Sequence, residues 1–223
     1  MSWWPFENKK TVKTDFVKAF LEKASKPIPS IRSLDQLNFV VLDTETTGLN
    51  PEEDFILSFG AVKIEKGKIL VHTACEWYPT SPKSGGETAK IHGLVSREEE
   101  IELEVFVKKL LPYLDQSILV GHHLGFDLQM LKKACKPFGL EKFPNPVLDT
   151  MNFAVRLEYG PQIDWHRIKK EEYSLDSLCE RYGIAKDDRH TAAGDAFLTA
   201  QLLLKLLKVA ESKGIENFGQ LMR

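Results

Sequence analysis

Four acidic side chains and one histidine stand where apolar segments meet a turn or a helix start, and side chains of these types can hold hard cations and move a proton. In VVLDTETTGLN, residues 40–50, three apolar residues run straight into two acids. The apolar run reads as a buried strand and Thr-Thr-Gly as the turn that ends it. Strand side chains alternate faces, so Asp43 and Glu45 project from one face at the strand's C-terminal tip. Two like charges held side by side are costly unless something positive lies between them. Further on, ILVGHHLGFD delivers Asp127 just after another short apolar strand, and RHTAAGDA delivers His190 and Asp195 at the opening of the last helix. Singly, each has a plain structural reading: a solvated strand end, an Asp complementing a helix dipole, a surface histidine. A site that gathered such carboxylates with no sulfur ligand would suit Mg²⁺ or Mn²⁺. A histidine with an ordinary pKa of about 6.5 can take a proton near pH 7.

The elements that must position these residues follow from periodicity. FVVLD, FILSFGAVKI and ILVHTACEWY, with a Lys66-Gly67-Lys68 turn between the second and third, read as a three-strand meander. EEIELEVFVKKLLPYL reads as a helix, SILVGH as a fourth strand, and DLQMLKKACKPFG as a helix stopped by Pro137 and Gly139. PVLDT is a fifth strand, followed by the helices SLDSLCERYG and GDAFLTAQLLLKLLKVAESKG. A meander followed by alternating units predicts an α/β fold, a mixed five-stranded sheet flanked by helices on both faces. Residues 1–37 read as an N-terminal amphipathic helix and linker, and 38–223 as the main domain. Val12, Phe16, Phe20 and Leu21 recur at helical spacing before KPIPS breaks the pattern. Such a helix most often packs on its own domain, while Trp3, Trp4 and Phe6 offer anchors for a protein partner. If the segment is a docking element, residues 1–30 should be removable without loss of activity.

The motifs match one family at every position. The chain resembles the DEDDh exonucleases, the DnaQ-like family of the bacterial DNA polymerase III epsilon subunit, whose fold is ribonuclease H-like. DTETTGL (43–49), HHLGFD (122–127) and HTAAGD (190–195) correspond to the family's three motifs, with softer matches at ILSFGAV, IHGLV, VLDT and YSLDSLCERYGI. The resemblance covers residues 38–210. The sister group with a tyrosine four residues before the last Asp is disfavoured, since Thr191 stands there. His123 departs from the Asn common in the second motif. The first motif lies farther from the N-terminus than usual, with 42 residues ahead of Asp43, and only 28 follow Asp195. That spacing suggests a stand-alone nuclease, or one docked through its N-terminal helix.

The resemblance implies two Mg²⁺ or Mn²⁺ ions per site, held by Asp43, Glu45, Asp127 and Asp195, with His190 as general base rather than ligand. It implies that the backbone around Thr46 and Thr47 and the apolar Leu49 hold the terminal nucleotide, with Gly48 allowing close approach. Phe126 and His92 are candidates for contact with the terminal bases, core packing being the competing reading. Asp149, though within a motif, reads as structural. The implied activity is 3'-to-5' hydrolysis at single-stranded DNA ends, releasing nucleoside 5'-monophosphates. An RNA exonuclease of the ribonuclease T or oligoribonuclease type would use the same five residues, because sugar discrimination rests on contacts to the 2'-hydroxyl. A catalytically silent nucleic-acid-binding module is the reading from another class, and a base beside four acids argues against it.

Composition bounds these readings. With 223 residues, 43% of them hydrophobic, the chain can bury one sizeable core. A net charge of -2 provides no global basic field, so affinity for nucleic acid must come from a local groove or from metal ions. Cys75, Cys135 and Cys179 form no CxxC and suggest neither disulfides nor zinc, so a reducing cytoplasm is expected. No apolar run is long enough to span a membrane.

Overall fold

The computed structural model describes residues 12–80 and 100–223. His92 with its IHGLV motif, and the aromatic Trp3, Trp4 and Phe6, lie outside the described residues. Strands β1 (Phe39–Thr46), β2 (Ile56–Glu65) and β3 (Lys68–Pro79) form the antiparallel meander. Lys66 and Gly67 both take positive φ, 50° and 68°. That is the two-residue hairpin geometry whose twist matches its flanking strands.

Among the described residues the sheet has six strands rather than five. Glu100–Ile101 forms a short strand, β4, parallel to Tyr78 and Pro79 at the end of β3. Glu100 and Ile101 of the segment read as helix are therefore strand, and its helix, α2, runs Leu103–Leu114. Two residues are too few for an alternating pattern, which is why the strand was invisible in the sequence. Strands β5 (Ile118–Gly121) and β6 (Val147–Asp149) continue the sheet in parallel with β1, in the order β4-β3-β2-β1-β5-β6.

Alternation along β1 divides the core into two layers. Phe39 and Val41 pack in the cluster that contains α4 (Thr150–Tyr159), α5 (Leu175–Arg181) and the long α6 (Ala192–Ser212). Val40 and Leu42 pack on the other side with α1 (Asp15–Ala24), α2 and α3 (Gly125–Cys135). Helix α1 thus belongs to the core of the same unit: Val17, Phe20 and Ala24 are buried, and Phe20 meets Phe143 edge-on with centroids 6.3 Å apart. Its backbone is tied on as well, Thr14 N–H donating to Phe138 O at 3.1 Å. A partner meeting α1 would therefore meet its polar outer side.

Candidate active site

The alternation that sorts the core also aims the acids. Asp43 and Glu45 continue the Phe39–Val41 side of β1, where α6 lies, and Thr44 continues the Val40–Leu42 side, where α3 lies. Gly60 on β2 is the register partner of Asp43. A Cβ there would stand 2.0 Å from the backbone carbonyl carbon of Ala192. Only glycine lets the start of α6 settle onto the sheet at that point. With that close approach, carboxylate oxygens of Asp43, Glu45 and Asp195 all fall within 4.8 Å of one another.

Asp127 reaches the same strand tip from the opposite layer. It is 6% exposed in the first turn of α3, and it accepts a 2.7 Å hydrogen bond from the Thr44 hydroxyl. Burial pushes its pKa up to about 6, against the hydrogen bond from Thr44. Asp43 is held well above the ordinary carboxylate range, first by burial and then by the charges of Asp127, Asp195 and Glu45. Asp127 is therefore electrostatically joined to the group without being one of the three oxygens gathered most tightly. Asp149 behaves as the structural residue expected: it caps α4 by accepting from Asn152 N–H at 3.0 Å and also accepts from Leu124 N–H at 2.9 Å.

The turn after β1 is organised by a residue that sequence reasoning passed over. Asp54 accepts from the Thr47 hydroxyl at 2.7 Å and from Asn50 N–H at 2.9 Å. Gly48 permits this, since a Cβ there would stand 2.5 Å from an Asp54 oxygen. Lys133 ties the far side down, donating to the carbonyls of Glu52 at 2.9 Å and Asp54 at 2.7 Å. Thr46 bonds within the turn to Gly48 O at 2.8 Å, and Leu49 is left 87% exposed at its crest. Phe126 is partly buried against the core at the start of α3.

The three motif histidines differ. His123 has φ 63°, a left-handed conformation that Asn and His tolerate better than most residues, which accounts for an Asn being common there. His122 beside it lies 2.9 Å from the Thr150 hydroxyl, and burial with its neighbour His123 pushes its pKa down to about 4, so it is neutral at pH 7. His190 is exposed, with φ 65°, in the turn that leads into α6. It is not part of the gathered Asp43, Glu45 and Asp195 group, and the Asp176 carboxyl is held low first by its hydrogen bond from Arg189.

Arg189 is a second feature that the sequence pattern did not single out. Its Nε and Nη2 donate to the two oxygens of Asp176 at 2.9 and 3.1 Å, and Nη1 pairs with Asp195 Oδ2. The only signal for it was a cation beside His190 in an acidic stretch, DDRHTAAGD. The other oxygen of Asp195, Oδ1, is buried with no hydrogen-bond partner among the described residues. An unpartnered carboxylate oxygen beside two further carboxylates fits a hard divalent cation.

Comparison with known proteins places this geometry in context. The RNase T exonuclease family matches residues 40–203. A PolC-type DNA polymerase III of Thermotoga petrophila is 32% identical over 194 residues, covering 85% of this chain and 13% of the polymerase. A DNA polymerase III subunit epsilon-like protein of Rhodobacter capsulatus is 33% identical over 196 residues, covering 85% of this chain and 26% of that protein. The chain thus spans about a quarter or less of the length of these curated relatives. E. coli exonuclease I, solved in complex with a dT13 oligonucleotide, shares the fold with a TM-score of 0.61 at 17% identity, over 80% of this chain and 43% of that one.

Proposed function

Because the chain belongs to the DnaQ-like exonuclease family, we propose that it is a metal-dependent 3'-to-5' exonuclease that removes nucleoside 5'-monophosphates from single-stranded DNA. The observation that carries the reading is the convergence of Asp43, Glu45 and Asp195, with Asp127 hooked onto Thr44 beside them. These four residues would hold two Mg²⁺ or Mn²⁺ ions, which when bound supply Lewis-acid stabilisation of the attacking and leaving oxygens.

The chain's own groups supply the rest. His190, on a solvent-exposed turn five residues ahead of Asp195, takes a proton from the attacking water as general base. Leu49, exposed at the crest of the Asp54-braced turn, offers an apolar surface to the terminal base, and the backbone at Thr46 and Thr47, where β1 enters that turn, is assigned to hold the same nucleotide. Phe126 and His92 stay secondary candidates for base contact. The exonuclease I complex with dT13 supports single-stranded DNA as first-choice substrate. The cytoplasm is the proposed location: among the described residues no helix is long and apolar enough to cross a membrane, and all three cysteines are free thiols.

Labelled DNA and RNA oligonucleotides, incubated with Mg²⁺ and with excess EDTA, test the reading. Shortening of DNA in Mg²⁺ alone is expected. Shortening only of RNA would select the ribonuclease T-type alternative, and no shortening of either would leave a binding module.

A further inference from the structure

The family motifs account for Asp195 as a ligand but not for what holds its carboxylate in place. A carboxylate at a helix start has two torsions to lose before it can act as a ligand, and the neighbours that orient it decide how tightly a cation is held. Here Asp195 Oδ2 is engaged by Arg189, while Oδ1 is buried and bare among the described residues. Arg189 is itself fixed: its side chain is 18% exposed, and the planar fork of Nε and Nη2 grips both oxygens of Asp176 on α5.

The backbone around the clamp is wound tightly. Asp188 and His190, on either side of Arg189, are non-glycine residues with φ 58° and 65°. The Thr191 hydroxyl donates to Asp188 O at 3.0 Å and accepts from Gly194 N–H at 3.0 Å. A Cβ on Gly194 would stand 1.9 Å from Asp188 O. Such a turn persists only where surrounding contacts over-determine it. The guanidinium bridge from α5 to α6 is one of those contacts.

We propose that the Asp176–Arg189 pair is a positioning device for Asp195, clamping Oδ2 so that Oδ1 is presented to the cation beside Asp43 and Glu45. Asp176 has a second purpose in this arrangement. It neutralises the guanidinium, so the clamp does not set a net positive charge against the incoming ion. The opposite role, an arginine standing in the cation's place and competing for Asp195, fits less well, because all three of its contacts leave Oδ1 open.

The proposal rests on the metal-site reading above, and titration calorimetry with MnCl₂ on the full chain separates the two. Arg189→Ala is expected to weaken Mn²⁺ binding on the order of tenfold or more, the usual effect of removing a group that orients a ligand. Asp176→Asn, which keeps the arginine but loosens it, should weaken binding several-fold. Arg189→Lys should recover only part of the loss, since one ammonium cannot span both carboxylates. Unchanged or tighter Mn²⁺ binding in Arg189→Ala overturns the proposal. If circular dichroism shows that this variant does not fold, unchanged binding in Asp176→Asn overturns it instead. Absence of Mn²⁺ binding by the wild-type chain would overturn the metal-site reading itself, and the proposal with it.

Discussion

At the scale of single residues, the site is defined by like charges held close together, a repulsion that the proposed cations would relieve. Asp43 is held well above the usual carboxylate range by burial and three neighbouring acids, and Asp127 at about 6 by burial. A raised folded-state pKa means that the folded protein binds more protons than the unfolded chain, so stability is greatest at low pH and falls as pH rises through the raised value. For Asp127, a rise from 3.8 to about 6 corresponds to roughly 3 kcal/mol lost between those pH values in metal-free protein. Asp43→Asn removes part of the repulsion. In EDTA at pH 7 it should melt above wild type, with a shallower decline between pH 4 and 7. Mg²⁺ should stabilise it less than wild type, for which one hundred times the dissociation constant adds about 2.7 kcal/mol. Melts of both proteins with and without Mg²⁺ check this, and a mutant that melts lower in EDTA and responds to Mg²⁺ like wild type would make Asp43 an ordinary strand-end residue. His190→Ala is expected to lower kcat by about 10²–10⁴ and leave the Mn²⁺ dissociation constant unchanged. Calorimetry showing lost Mn²⁺ binding would reassign His190 as a ligand.

At the scale of elements, most of the placement was legible because it follows from periods of two and 3.6. The DxE spacing put Asp43 and Glu45 on one face, and the structure extends that face to the layer occupied by α6. What the sequence hid are contacts that cross between elements. Gly60 reads as an unremarked strand glycine until α6 is seen to rest on it. Arg189 and Asp176 lie in different segments, and their pairing depends on how the 182–191 connection folds back. The sixth strand escaped because two residues have no period. Helix α1 was legible as amphipathic, but only the fold shows what its apolar side meets. Burying a large apolar side chain is worth about 1.5–3 kcal/mol, and Val17 and Phe20 are both inside. Deleting residues 1–26 should therefore remove several kcal/mol from a total of about 5–15 and unfold much of the population at 37 °C. Far-UV circular dichroism checks it, and a truncated chain with an unchanged melt would return α1 to the status of a detachable docking element.

At the scale of the whole molecule, a net charge of -2 leaves the chain without a general field for nucleic acid. Under the proposed function, recognition would be concentrated at one end of the central strands, where the C-terminal ends of parallel β1 and β5 bring Asp43, Glu45 and the start of α3 together. The two core layers explain why this end is assembled from distant segments: α6 brings Asp195 from one face, and α3 brings Asp127 around from the other. The central claim is that this strand end performs metal-dependent hydrolysis from a 3' end. It is tested most directly by following a 5'-labelled single strand and a closed circular single strand in Mg²⁺ and in excess EDTA. The account predicts stepwise shortening of the linear strand from its 3' end, with nucleoside 5'-monophosphate released, in Mg²⁺ only, and an untouched circle. Cleavage that persists undiminished in EDTA, or cutting of the circle, would contradict it.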